Sequence, residues 1–84
     1  METRTLDTLS RHQIAVVTAL HSEGAERRRM MDLGIVPGTA IRVEMVSPLG
    51  DPVAYLVRGS VVALRREQAA KIEITLQPAE ETQP

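Results

Sequence analysis

A chain of 84 residues, with 10 Lys and Arg against 11 Asp and Glu and a formal net charge of −1, has room for one small domain and lacks the basic excess of a nucleic-acid-binding module. It has no cysteine, which excludes a disulfide framework and a thiolate metal site, and its one tyrosine, with no Phe or Trp, cannot build the aromatic platforms that grip proline-rich peptides or stack bases. The opening METRTLDTLS has no apolar core of a signal peptide, and no apolar run nears the ~20 residues that cross a bilayer, so a cytoplasmic location is expected, with any membrane link through a partner.

Leu6 and Leu9 bracket a polar stretch in which Thr5 or Asp7 is placed to cap a single helical turn. Ile14 to Leu20 predicts a strand. Ile14, Val16, Thr18 and Leu20 fall on one face, Ala15, Val17 and Ala19 on the other, so cover on both sides is expected. Ser22 to Gly34 predicts a helix with Ser22 as N-cap and Glu23 and Glu26 at the positive end of the dipole. Glu23–Arg27 and Arg28–Asp32 are opposite charges at i,i+4, and Met30 and Leu33 share a face. Gly34 is placed to end the helix in the left-handed conformation. Pro37-Gly38 suits the centre of a type II turn, because proline fixes φ and glycine tolerates φ > 0.

Ala40 to Val46 alternates, with Ile41, Val43 and Met45 opposite Arg42 and Glu44. Pro48 to Pro52, PLGDP, is a turn with a proline at each end. Val53 to Arg58 alternates again, and Gly59-Ser60 is a hairpin signal leading into Val61 to Leu64. Arg66 to Ala70 predicts one helical turn, and Ile72, Ile74 and Leu76 form a last inward face. These parts predict an all-β fold: a small SH3-like β-barrel of about five strands with one short inserted helix. It spans residues 5–77 and precedes a disordered, acidic tail at 78–84.

Several blocks together resemble one family. Arg29 to Thr39, RMMDLGIVPGT, is similar to the R-L-x-D-L-G-x-x-P-G-T signature of FeoA, the small ferrous iron transport protein A. Pro48 to Pro52 matches that family's P-L-G-D-P, and Val57-Arg58-Gly59, Ala63-Leu64-Arg65 and Glu67-Gln68-Ala69 follow its later blocks. The resemblance covers roughly residues 5 to 76. It implies an SH3-like barrel and a cytosolic accessory of FeoB, a membrane permease with a cytosolic G-protein domain, whose iron uptake it would modulate.

No set of nucleophile, base and acid is legible, so no enzyme is expected. Asp7, Asp32 and Asp51 fall where local hydrogen bonds explain an aspartate. His12 and His21 lie nine residues apart across one strand and cannot share a metal. His21 and Glu23 are too few ligands for a specific iron site, so tight iron binding by this chain and a cofactor are not expected. PLGDP lacks the lysine and following hydroxyl of a phosphate loop.

The candidate contact residues are Arg27, Arg28 and Met31 on the helix with Leu49 and Asp51 on the stiff loop. Met31, about 100° round the helix from Met30, either docks a partner or packs under a neighbouring loop. Leu49 either folds back on the barrel or is presented outward. Apolar anchors and orienting charges of this kind fit a non-enzymatic adaptor. A second expectation is an SH3-like regulatory module acting on a metal-responsive transcriptional repressor. A third is weak homo-oligomerisation through exposed strand edges or the helix.

Overall fold

The computed structural model describes residues 3–77; the expected tail at 78–84 lies outside them. The elements in chain order are β1 (Arg4–Thr5), a 3-10 turn (Leu6–Thr8), β2 (Ile14–Leu20), α1 (Gly24–Asp32), β3 (Ala40–Val46), β4 (Val53–Val57), β5 (Ser60–Leu64), α2 (Arg66–Ala69) and β6 (Ile72–Leu76). All pairings are antiparallel and the sheet runs β1-β6-β2-β3-β4-β5. There are six strands rather than five, because Arg4–Thr5 pairs with Ile74 and Glu73. The curled sheet has the expected SH3-like form, but its ladder does not close: β1 and β5 are its edges.

The core is aliphatic. Leu6, Val17, Met30, Ile35, Ile41, Val57, Leu64, Ile72 and Ile74 are almost wholly buried, with Tyr55 the one ring among the buried side chains. Two bulges decide which residues reach it. In β2, Val17 pairs with Ile74 and Ala19 with Glu73, so Thr18 is the extra residue. Leu20 therefore turns inward with Ala15 and Val17, not with Ile14 and Val16 as simple alternation gives. In β3, Val43 pairs with Tyr55 and Met45 with Ala54, so Glu44 is extra and Met45 turns out to solvent, away from Ile41 and Val43. Each bulge breaks the period of two on which the expected faces rested.

The helix starts later than expected. Glu23 occupies the N-cap and Gly24 opens the helix at φ +60. Ser22 is buried and does not cap. The far end follows the expected rule closely. Gly34, at φ +91, donates its N–H to Met31 O, and the Ile35 N–H bonds Met30 O, each at 3.0 Å. This pair of bonds is a Schellman motif, and it places Ile35 beside Met30, both fully buried. Gly38 has φ +96 and Thr39 N–H bonds Val36 O at 3.0 Å, the turn expected at Pro37-Gly38. That turn is stitched back to β2 by Gly38 N–H to Val17 O at 2.8 Å and Val17 N–H to Thr39 O at 2.9 Å.

The β4–β5 hairpin turns one residue earlier than predicted. Val57 pairs with Ser60, and Arg58 and Gly59 form the loop at φ 51 and 84. Positive φ at both central residues is the type I′ pattern, which matches the twist of the flanking strands.

Candidate functional site

Local bonding separates the five expected contact residues into two groups. Arg27 is tied inward: its Nη1 donates to Leu20 O at 2.9 Å and fastens α1 to the end of β2. Asp51 is also engaged, because its Oδ1 accepts the Arg66 backbone N–H at 2.9 Å and caps α2 across fifteen residues of chain. Arg28 is exposed and free of such a bond among the described residues. Met31 is 47% exposed while its neighbour Met30 is buried, so the two methionines divide between surface and core. Leu49 is 92% exposed, presented outward and not folded back.

The loop that carries Leu49 is braced. Gly50, at φ 85, donates its N–H to Ser47 O at 2.8 Å, and Ser47 N–H reaches Pro52 O at 3.3 Å. The loop enters β4 at Val53. The terminus of α1 touches the other end of that strand: a Cβ built at Gly34 would lie 2.8 Å from Arg58 Cδ. Helix terminus and loop are thus anchored at opposite ends of a five-residue strand, roughly 16 Å long.

The expected helix-surface ion pairs are not made among the described residues. Glu26 instead pairs with Lys71 at 3.9 Å, which links α1 to the start of β6. His21 Nε2 lies 2.7 Å from Glu73 Oε1, a partner 52 positions away and not the sequence-adjacent Glu23. Among the described residues, no group of three or more imidazole or carboxylate side chains converges as metal ligands. No helix among them is long and apolar enough to cross a membrane.

Sequence patterning missed a second surface. Outside the sheet, cross-strand register aligns Ile14, Arg42, Leu56 and Val61 in one row. Met45, Ala54 and Ala63 form a second row. Met45 and Val61 are 62% and 60% exposed. A shallow depression of about 260 Å³ lies between Ile14, Ala40, Leu56 and Arg58. It is an outer-face feature, smaller than the ~300–1,000 Å³ of ordinary ligand clefts. The signal in the sequence was the uncharged run Ser60 to Leu64. Met45 was hidden because it reaches that face only through the bulge at Glu44.

Comparison with known proteins places this geometry. The family model described as FeoA domain matches residues 4–76. The chain belongs to the FeoA family. Among relatives, a Fe(2+) transport protein A/Fe(2+) transporter FeoB fusion protein of Porphyromonas gingivalis is 44% identical over 62 residues, covering 74% of this chain and 7% of the fusion. This chain thus corresponds to a small fraction of that relative's length. The solution structure of FeoA from Chlorobium tepidum superposes with a TM-score of 0.81 at 33% identity, covering 95% of this chain and 80% of that one. The crystal structure of Stenotrophomonas maltophilia FeoA complexed with zinc, described as a prokaryotic SH3 domain protein, gives a TM-score of 0.72 at 32% identity, with 89% and 91% covered. The blocks that resemble FeoA fall on the Schellman turn, the Pro37-Gly38 turn and the braced loop.

Proposed function

We propose that this FeoA-family chain is a non-enzymatic, cytoplasmic accessory of ferrous iron uptake that binds a FeoB-type GTPase permease and modulates its transport. The observation that carries this reading is the Porphyromonas gingivalis relative, in which a segment similar to this chain is joined to a FeoB transporter in one polypeptide. Joining two modules raises their mutual effective concentration to about millimolar and is useful when they act on each other.

The exposed Met31 and Leu49 supply adaptable apolar anchors, and Arg28 supplies an orienting charge on the helix that carries Met31. Arg27 and Asp51 contribute less directly in this reading, by holding α1 and α2 in place. The partner surface touches both ends of β4. Net charge of −1 argues against nucleic acid as a direct partner.

The test is binding of the full chain to the permease, as its cytosolic domain in each nucleotide state and as the full membrane protein. Saturable binding is expected, weakened about tenfold or more by Met31→Asp or Leu49→Asp. Absence of binding in every form would sink the proposal, whereas unchanged affinity in both variants would relocate the contact surface only.

A further inference from the structure

We infer that the depression on the outer face of the sheet takes one apolar side chain of a partner protein, with an Asp or Glu two residues along the same segment seated on the Arg58 guanidinium. The site adjoins the end of α1, and the inference stands whether or not Met31 and Leu49 are contact residues.

The side chain that marks the site stands on a backbone that does not favour it. Arg58 has φ 51 in the β4–β5 turn, a left-handed conformation that type I′ turns usually give to Asn, Asp or Gly. An arginine there points to a role for its side chain. The stem runs back over the helix end, where a Cβ built at Gly34 would lie 2.8 Å from Arg58 Cδ. That packing holds the stem and leaves the charge unmatched: Arg58 is exposed and in no ion pair among the described residues.

The depression lies beside that side chain. Arg58 lines the hollow of about 260 Å³ with Ile14, Ala40 and Leu56, and a second hollow of about 380 Å³ with Pro37, Thr39 and Ala40. It therefore stands between the two. Ile14 and Leu56 flank Arg42 in one cross-strand row, two strand spacings or roughly 10 Å apart. Arg42 lines the first hollow as well, and none of the described residues around either hollow is acidic. Glu44, 3.8 Å from Arg42, offsets part of that charge and leaves Arg58 as the stronger cation.

An unmatched guanidinium beside an apolar hollow is complementary to a carboxylate beside an apolar side chain. The first hollow is shallow and smaller than ordinary ligand clefts, so it suits a side chain of a larger molecule. In an extended segment, residues i and i+2 face the same way about 7 Å apart, so one fills the hollow while the other reaches Arg58. A basic segment meets repulsion from both arginines.

The probes are two end-capped pentapeptides, Ser-Leu-Ser-Glu-Ser and Ser-Leu-Ser-Gln-Ser, titrated into the isotope-labelled full chain and followed at the Leu56 methyls and the Arg58 Nε–H. The Glu peptide is expected to saturate with a Kd of about 1 mM and to bind about fivefold tighter than the Gln peptide, a gap that narrows with added salt. Arg58→Gln keeps side-chain carbons over Gly34 and removes the charge; it is expected to make the two peptides equal. Ala40→Glu, at an exposed position, narrows the hollow and gives Arg58 a carboxylate of its own. It is expected to weaken both peptides about fivefold or more with circular dichroism unchanged. The inference is overturned by no saturation, by equal affinity of the two peptides for the unaltered chain, by a gap that persists in Arg58→Gln, or by full affinity in Ala40→Glu. Sodium acetate that shifts Arg58 with the same midpoint as the Glu peptide also overturns it, because the site is then one for a small anion. Without peptide, Leu56 and Arg58 signals that move on dilution assign the hollow to a second copy. Signals that move on removal of residues 78–84 assign it to this chain's own tail, and either result overturns the inference.

Discussion

Tyr55 is the one aromatic residue of the chain, and its ring is buried against the aliphatic interior of β3 to β5. Burial, with Asp7 and Asp51 adding smaller negative fields and Arg66 opposing them, pushes its phenol up from 10.0 to about 12. The neutral phenol is thus the form the fold accepts. The stabilisation is fully present below pH 10, the unfolded value, and is lost as pH rises toward about 12. Folding stability should fall over that window by on the order of 2 kcal/mol, a fall that Tyr55→Phe should reduce. Urea unfolding of both proteins between pH 9 and about 12 measures it; identical slopes would mean the phenol is not the responsible group. A lone tyrosine was visible in the sequence. Alternation set it opposite Ala54 and Leu56 without deciding which apolar face is buried, and the acids near it come from the 3-10 turn and the loop between β3 and β4.

At the scale of elements, helix α1 and helix α2 show how differently two short helices are specified. The end of α1 is written into neighbouring residues: Gly34 takes φ +91, and Met30 and Met31 supply the carbonyls that close the turn. A side chain at Gly34 would meet both strained backbone and the Arg58 Cδ, so glycine there serves local geometry and packing together. The start of α2 combines a local bond, Arg65 N–H to Gln68 Oε1 at 2.9 Å, with a carboxylate from the loop between β3 and β4. Asp51→Ala should remove about 1 kcal/mol of stability and speed amide exchange at Arg66, while Asp51→Asn, which keeps an acceptor, should recover most of it. Denaturant midpoints and exchange rates for the two variants decide the matter; equal loss in both would assign the effect to charge and not to the hydrogen bond. The same loop presents Leu49 to solvent, so its stiffness comes from its own turn and from its grip on α2.

For the whole molecule, small size sets the margin. A domain of this length holds on the order of 5 kcal/mol, and each large core side chain is a sizeable part of it. Ile74 is fully buried on β6, the strand that joins β1 to β2. Truncation by Ile74→Ala should cost about 2–5 kcal/mol and lower the melting temperature by at least about 10 °C. Thermal unfolding reads this directly, and a shift of only a degree or two would mean the interior closes over the gap. With the interior committed to aliphatic packing, Met31 on the helix and Leu49 at the loop tip stand exposed, and β5 is an end of the sheet.

Sequence alone determined the features whose physics is local. The helix stop at Gly34, the Pro37-Gly38 turn, the limits of β2 and β3, the single turn at α2 and the aliphatic interior all follow from residues within a few positions of one another, or from what the chain lacks. Only the tertiary structure decided which way the strands face beyond Thr18 and Glu44, that Asp51 caps Arg66, that His21 meets Glu73, and that β5 is left as an edge. Those outcomes depend on which distant strand pairs with which and in what register. A bulge is stable only against its partner, and a backbone group is free only if no partner arrives.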